Sequence, residues 1–126
     1  MPLVLEQIRI HESWLQLAEE HIKWGDYVRA KDLLTEVNVH SRILKDQPNY
    51  AKSLLSLSTI AYLEGESGSA LKLDMLCHNY AQDMEFIEKA IIHTNDLLIE
   101  YDKIDDCRML LDGSIQMLMD IKQSMF

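Results

Sequence analysis

Two glycines that lie 40 residues apart interrupt a sequence that otherwise favours helix. Gly25 stands in "WGDYVRAKDL" (24–33) and Gly65 in "EGESGSALKL" (64–73). Glycine adopts the left-handed conformation that ends a helix at little steric cost. In the first segment it is followed by Asp26, a residue type that caps the start of the next helix. A corner this short turns two consecutive helices back on each other, so the sequence predicts helical hairpins.

Apolar residues on both sides of the first corner recur every three or four positions, which is the period of one helix face. The chain has only four Gly and two Pro, and its commonest residue types lose little freedom in a helix. We therefore predict an all-α fold. The stripe before Gly25 comprises Val4, Ile8, His11, Leu15, Ala18 and Ile22, and the stripe after it comprises Ala30, Leu33, Leu34, Val37, Ile43 and Leu44.

The same pattern continues along the chain and predicts six helices in three antiparallel pairs. Pro48 suits the first turn of a third helix, where a missing N–H costs nothing, and the last helix is expected from about residue 104 to residue 122. The hairpins would occupy approximately 3–45, 47–80 and 83–124 of a single domain, 1–126. Five residue pairs keep the 40-residue register and indicate an internal repeat: Leu17/Leu57, Ala18/Ser58, Gly25/Gly65, Ala30/Ala70 and Leu33/Leu73.

The segments "WLQLA" (14–18) and "GDYVRAKDLL" (25–34) together resemble the tetratricopeptide repeat. The resemblance implies a right-handed superhelix of stacked hairpins, in which Ala18 and Ala30 let paired helices approach closely. Larger residues would fill the space around them, namely Trp14, Leu17, Tyr27 and Leu34.

Later copies depart from this repeat pattern. The second copy has Asp74 where a large apolar residue is expected. The third has Thr94 and Asn95 at the positions of the signature leucine and the small residue. The offset of 40 also exceeds the usual period of about 34 residues, so longer helices or linkers are expected.

A longer stretch, "HSRILKDQPNYAKSLLSLSTIAYLEGESGSALKLDMLCHNYAQDMEFIEKAI" (40–91), resembles the large axonemal proteins of this repeat class that are found in cilia. That resemblance implies a non-catalytic scaffold for protein–protein interaction, located in the cytoplasm or in a cilium.

In the repeat family, the first helices of successive hairpins line a concave groove that holds a peptide or helix from a protein partner. Some members bind a terminal carboxylate there with basic and amide side chains, but Leu15 and Glu19 occupy those places, so such a ligand is disfavoured. The groove positions that the resemblance implies are Leu15, Glu19, Lys52, Leu55, Thr59, Tyr62, Lys89, His93 and Asp96.

The end of the chain is a second candidate surface. Apolar residues of the final helix cover more of its circumference than one inward face needs, whereas a solenoid end in water should be polar. This pattern is compatible with self-association or a continued solenoid. The alternative is that the broad stripe packs on neighbouring helices. The candidate residues are Met117, Ile121, Met125 and Phe126.

Residue patterns for catalysis, cofactors or metal are weak. Asp74 and His78 lie four positions apart, a spacing that we interpret as an ordinary helix-surface contact, because a metal site needs three or four converging ligands. No glycine-rich phosphate loop is present. We therefore expect no enzyme activity, no cofactor and no metal. The thiols of Cys77 and Cys107 are expected to be free.

Charge narrows the expected partners. The formal net charge is −9, and most of the excess acid lies in the second half of the sequence. This balance argues against nucleic acid and anionic membranes as partners. One alternative architecture stays open: a compact, non-repeat helical bundle that dimerises or binds an amphipathic helix or a small apolar ligand.

Overall fold

The computed structural model describes residues 2–80, 84–100 and 105–124. These residues contain six α-helices and no strand, which confirms the predicted all-α fold and its number of helices. The helices are α1 (Pro2–Lys23), α2 (Tyr27–Leu44), α3 (Gln47–Leu63), α4 (Ser67–His78), α5 (Met84–Glu100) and α6 (Asp105–Ser124).

Both glycine corners end a helix in the predicted way. Gly25 has φ +77° and Gly65 has φ +79°, so both are left-handed. At the first corner, the Gly25 N–H donates to the Ile22 carbonyl (3.0 Å), and the Asp26 N–H donates to the His21 carbonyl (2.8 Å). This pair of bonds is the Schellman motif, which satisfies carbonyls that a helix end leaves free. The corner at Gly65 has the same pair of bonds.

A third corner of the same geometry lies at Lys45, which the sequence does not indicate, because lysine rarely adopts a left-handed conformation. Its φ is +57°, and Asp46 then caps α3 by accepting from the backbone N–H of Asn49. Pro48 lies in the first turn of α3, as predicted. The corners at 25, 45 and 65 are 20 residues apart. Each helix together with the corner that follows it therefore takes 20 residues, and a hairpin of two helices takes 40. This arrangement explains the 40-residue offset.

The hairpins stack in sequence order. Each helix packs against its hairpin partner, α2 packs against α3, and α4 packs against α5. The first helices of the hairpins also contact one another, α1 with α3 and α3 with α5. The predicted hairpin arrangement is therefore confirmed, and the handedness of the superhelix stays a prediction.

The core follows the hairpins. One cluster joins α1, α2 and α3, and comprises Leu15, Ala18, Ala30, Leu34, Val37 and Ile60. Another joins α3 to α6, and comprises Ala51, Leu54, Leu55, Cys77, Phe86, Ile87, Ala90 and Leu118. Ala18 and Ala30, the small residues expected at close helix approaches, are completely buried, and so are their counterparts Ser58 and Ala70.

Three details of the predicted stripes are wrong. Leu17, expected to fill the interior, is 47% exposed, and Ile43 is 70% exposed. Ser41 takes the inward position on α2 instead, because it lies one turn after the buried Val37. In α5, Thr94 is fully buried and Asn95 is exposed. The small buried position of the third copy therefore falls one residue earlier than predicted.

Candidate functional site

A groove lies between α1, α3 and α5. It comprises two adjoining cavities of about 440 Å³ and about 310 Å³, which share Glu19, Leu55, Ser56 and Lys89. Seven of the nine predicted groove residues line these cavities: Leu15, Glu19, Lys52, Leu55, Thr59, Lys89 and His93. Because α1, α3 and α5 are the first helices of successive hairpins, the stacking order brings these residues together.

Two predicted residues do not line the cavities. Asp96 is exposed on α5. Tyr62 is half-buried, and its ring stands edge-on to the ring of His93 with 6.2 Å between the centroids. Tyr62 also packs against the small core cluster of Ala61, Ala70 and Leu97. The location of these residues does not show whether a partner binds here, so partner binding in the groove stays a prediction.

Sequence reasoning missed part of the lining. Most missed residues lie one helical turn from a predicted one, as Glu12 does from Leu15 and Glu85 does from Lys89. Extending each predicted face by one turn would have found them. The missed residues are Glu12, Gln16, Ile22, Lys23, Asn49, Ser56, Glu85 and Phe86.

The groove has an apolar floor and a rim of mixed charge. Leu15 and Leu55 are buried in the floor, where they also belong to the core. On the rim, the Lys89 ammonium lies 3.2 Å from the Glu85 carboxylate. Lys52 forms no ion pair with any described residue, and it lies in the same cavity as the carboxylate of Glu12. A rim of both signs suits a protein segment better than a polyanion.

His93 links the groove floor to the packing of α3 on α4. The Ser58 hydroxyl donates to the Ala70 carbonyl (2.6 Å), and the Nε2 of His93 lies 2.7 Å from the same hydroxyl oxygen. Since a hydroxyl has one hydrogen, the His93 Nε2–H must be the donor in the second bond. Burial lowers the pKa of His93, although the charges of Asp74 and Asp96 oppose that shift.

A second polar cluster lies between α4 and α5, and it overturns the interpretation of Asp74 and His78 as a helix-surface contact. Both residues are buried, as is Thr94. The Thr94 hydroxyl lies 2.9 Å from the Asp74 carboxylate and 3.1 Å from the Nε2 of His78. The residues lie inside the stack because α5 covers this face of α4, so the cluster connects the second hairpin to the third.

Cys77 lies beside Asp74 and His78. Among the described residues, these three are the one group of side chains close enough together to bind a metal ion. Donor atoms of Asp74, Cys77 and His78 lie within 4.8 Å of one another. However, burial raises the pKa of the Cys77 thiol, the charge of Asp74 adds to that shift, and the thiol donates to the Asp74 carbonyl (3.0 Å). The contacts of Thr94 with Asp74 and His78 connect α4 to α5, whereas the buried Nδ1 of His78 has no hydrogen-bond partner among the described residues.

The predicted surface at the end of the chain is only partly described. Ile121 is half-buried and packs against the core cluster that contains Leu118. The side chain of Met117, and all of Met125 and Phe126, lie outside the described residues. Ile121 thus follows the alternative prediction, in which the stripe of α6 packs on its neighbours.

The chain is similar to "Cilia- and flagella-associated protein 46" of Chlamydomonas reinhardtii, with 23% identity over 119 residues. The match covers 93% of this chain but only 4% of that relative. No family model matches the sequence, and no solved structure matches it. The likeness to tetratricopeptide repeats therefore rests on the residues and on the hairpin packing. Within the described ranges, no helix is both long and apolar enough to cross a membrane.

Proposed function

We propose that this chain is a non-catalytic helical-repeat scaffold in a ciliary or flagellar assembly, and that its groove binds a segment of another protein. The observation that carries the proposal is the similarity to a cilia- and flagella-associated protein over 93% of the chain. Stacked hairpins with a continuous groove support the scaffold role, because repeat architectures of this kind present extended concave binding surfaces.

The pair of Ser58 and His93 supports a structural rather than a catalytic role. A serine 2.7 Å from a histidine has the spacing of a nucleophile and its base. Ser58, however, is completely buried, and its hydroxyl hydrogen bonds to the Ala70 carbonyl. A substrate therefore has no access to the oxygen atom, and the pair holds three helices together.

The groove lining indicates which segment it would take. Leu15 and Leu55 offer apolar contact at the floor, while Glu19 and Lys52 offer charges of opposite sign on the rim. A helix or extended peptide with an apolar face and charged residues of both signs on its edges would satisfy these groups. Such a ligand would be held along its length, so binding would not depend on a free terminus.

The test is to express the tagged chain in ciliated cells and to map its neighbours by proximity labelling. The groove variant carries Glu19→Lys with Lys52→Glu, which keeps the net charge but reverses both rim charges. The matched control carries Asp32→Lys with Lys72→Glu, the same changes at exposed positions that do not line the groove. We expect wild type and control to localise to cilia and to label the same proteins, and the groove variant to lose them.

Two results would overturn different parts of the proposal. Exclusion of the wild-type chain from cilia would remove the ciliary role. Labelling that is unchanged in the groove variant would remove the groove as the binding surface while leaving the scaffold role in place.

A further inference from the structure

Three buried side chains near the end of α4 are of types that bind metal ions. Asp74, Cys77 and His78 are each at most 1% exposed, and one donor atom from each lies within 4.8 Å of the others. Asp74 lies three residues before Cys77 and four before His78, so the helix brings all three to one side. The spacing of Asp74 and His78 alone predicted a contact of two residues, and the structure adds Cys77 as a third ligand type.

The hydrogen bonds of this group leave one nitrogen of the His78 ring unused. Nε2 lies 3.1 Å from the Thr94 hydroxyl oxygen and 3.4 Å from the Asp74 carboxylate. Nδ1 is buried and has no hydrogen-bond partner among the described residues. A buried polar atom without a partner is unfavourable. An ion bound at Nδ1 would supply that partner and would leave Nε2–H to donate to the neighbouring oxygens.

The carboxylate of Asp74 is also short of donors. The Thr94 hydroxyl lies 2.9 Å from it, but the same hydroxyl lies 2.8 Å from the Ala90 carbonyl and has only one hydrogen to donate. Among the described residues, neither a lysine nor an arginine forms an ion pair with Asp74, whose one contact with a basic side chain is that with His78. Because a buried carboxylate needs a paired charge or several hydrogen bonds, this site favours a cation.

We propose that Asp74, Cys77 and His78 bind a divalent transition-metal ion of the zinc type, with a carboxylate oxygen, the sulfur and the histidine ring as ligands. A mixed set of oxygen, sulfur and nitrogen donors suits Zn²⁺, whereas Mg²⁺ and Ca²⁺ take oxygen ligands. The carboxylate and the thiolate together balance the two charges of the ion, so the buried site is neutral. The negative end of the α4 dipole also favours a cation at this position.

Binding converts the Cys77 thiol to the thiolate. In the absence of an ion the thiol keeps its proton, because burial and the charge of Asp74 raise its pKa. When the ion binds, the S–H bond breaks, a metal–sulfur bond forms, and the proton leaves to the solvent. The ion supplies the positive charge that the thiolate and the carboxylate need to lie side by side. Since the three side chains are buried, the ion enters as the chain folds.

The test is to unfold the whole chain in denaturant with a reductant and a chelator, and to refold it with Co²⁺, which reports its ligands by absorption. We expect one Co²⁺ to be retained per chain, with the thiolate-to-cobalt charge-transfer absorption that a bound sulfur produces. An excess of Zn²⁺ during refolding should remove this absorption, and the same excess of Mg²⁺ should not. A refolded chain that retains no Co²⁺, or retains it without the sulfur absorption, would overturn the proposal.

Matched variants show which residues hold the ion. Cys77→Ala should lose the sulfur absorption, whereas Cys107→Ser, which changes the other cysteine of the sequence, should keep it. His78→Gln should weaken Co²⁺ binding about tenfold or more. Its control, His40→Gln, removes an exposed histidine that pairs with Glu36 at the same four-residue spacing, and should bind like wild type.

Circular dichroism shows whether each variant refolds. The Cys107→Ser variant decides the question even where Cys77→Ala fails to refold, because Cys77 is then the one thiol in the chain. Loss of the sulfur absorption in Cys107→Ser, or its persistence in Cys77→Ala, would exclude Cys77 as a ligand and overturn the site.

Discussion

The Thr94 hydroxyl on α5 lies 2.9 Å from the Asp74 carboxylate on α4 and 2.8 Å from the Ala90 carbonyl of its own helix, and both Thr94 and Asp74 are departures from the repeat pattern. Asp74 stands where the second copy of the repeat should have a large apolar residue. Thr94 stands where the third copy should have the signature leucine, and it is fully buried. A buried carboxylate is costly unless it is hydrogen-bonded. The two departures therefore compensate each other and join the second hairpin to the third.

Replacing Thr94 by valine removes this bond while preserving the shape of the side chain. We expect a loss of about 1–3 kcal/mol in the free energy of unfolding, because the buried carboxylate loses one of its partners and keeps His78, whose Nε2 lies 3.4 Å away. Urea denaturation would measure it. The control is Thr59→Val, since the Thr59 hydroxyl bonds only to the Leu55 carbonyl of its own helix. Equal losses in the two variants would show that the Asp74–Thr94 bond contributes nothing specific.

The small residues at the close helix approaches should not tolerate enlargement. Ala30 and Ala70 are completely buried, so Ala30→Leu or Ala70→Leu should each cost about 1–3 kcal/mol by overpacking. Thermal unfolding followed by circular dichroism would measure the loss, with Thr35→Leu at an exposed position of α2 as the control. Unchanged melting temperatures in both alanine variants would contradict the repeat packing.

Lys45 should be replaceable by glycine with a gain in stability. Its φ of +57° is left-handed, which costs a residue with a side chain about 1–2 kcal/mol. Lys45→Gly should therefore raise the melting temperature. Gly25→Ala should lower it, and only through the backbone, because a Cβ at Gly25 would meet no atom within 4 Å. A Lys45→Gly variant that melts below wild type would show that the lysine side chain itself stabilises the corner.

Acidification should destabilise the fold partly through His93. Burial lowers its pKa in the folded state, so below the ordinary value of about 6.5 the unfolded chain binds a proton that the folded chain does not. Stability should then fall as the pH decreases below that value. In His93→Gln, which keeps a donor for Ser58 without titrating, the decline should be shallower. Parallel pH profiles for the two proteins would exclude His93 as a contributor.

The groove shows how much of a binding surface a resemblance to a repeat family can predict. The resemblance to the repeat family placed Lys52 and Lys89 there, and both line the cavities. Their neighbours one turn away, such as Glu85, were missed because the helix period indicates which side of a helix faces the groove but not how many residues of that side line it. Asp96 is exposed on α5 and does not line either of the two cavities.

What the sequence determined by itself is local. The corners at Gly25 and Gly65 follow from conformations available to glycine, and the six helices follow from an apolar period within a few residues of each position. Only the tertiary structure decided that Thr94 meets Asp74 and that Leu17 lies exposed at the end of the stack. Those outcomes depend on the register and crossing of helices that are distant in sequence, and residue periodicity specifies neither quantity.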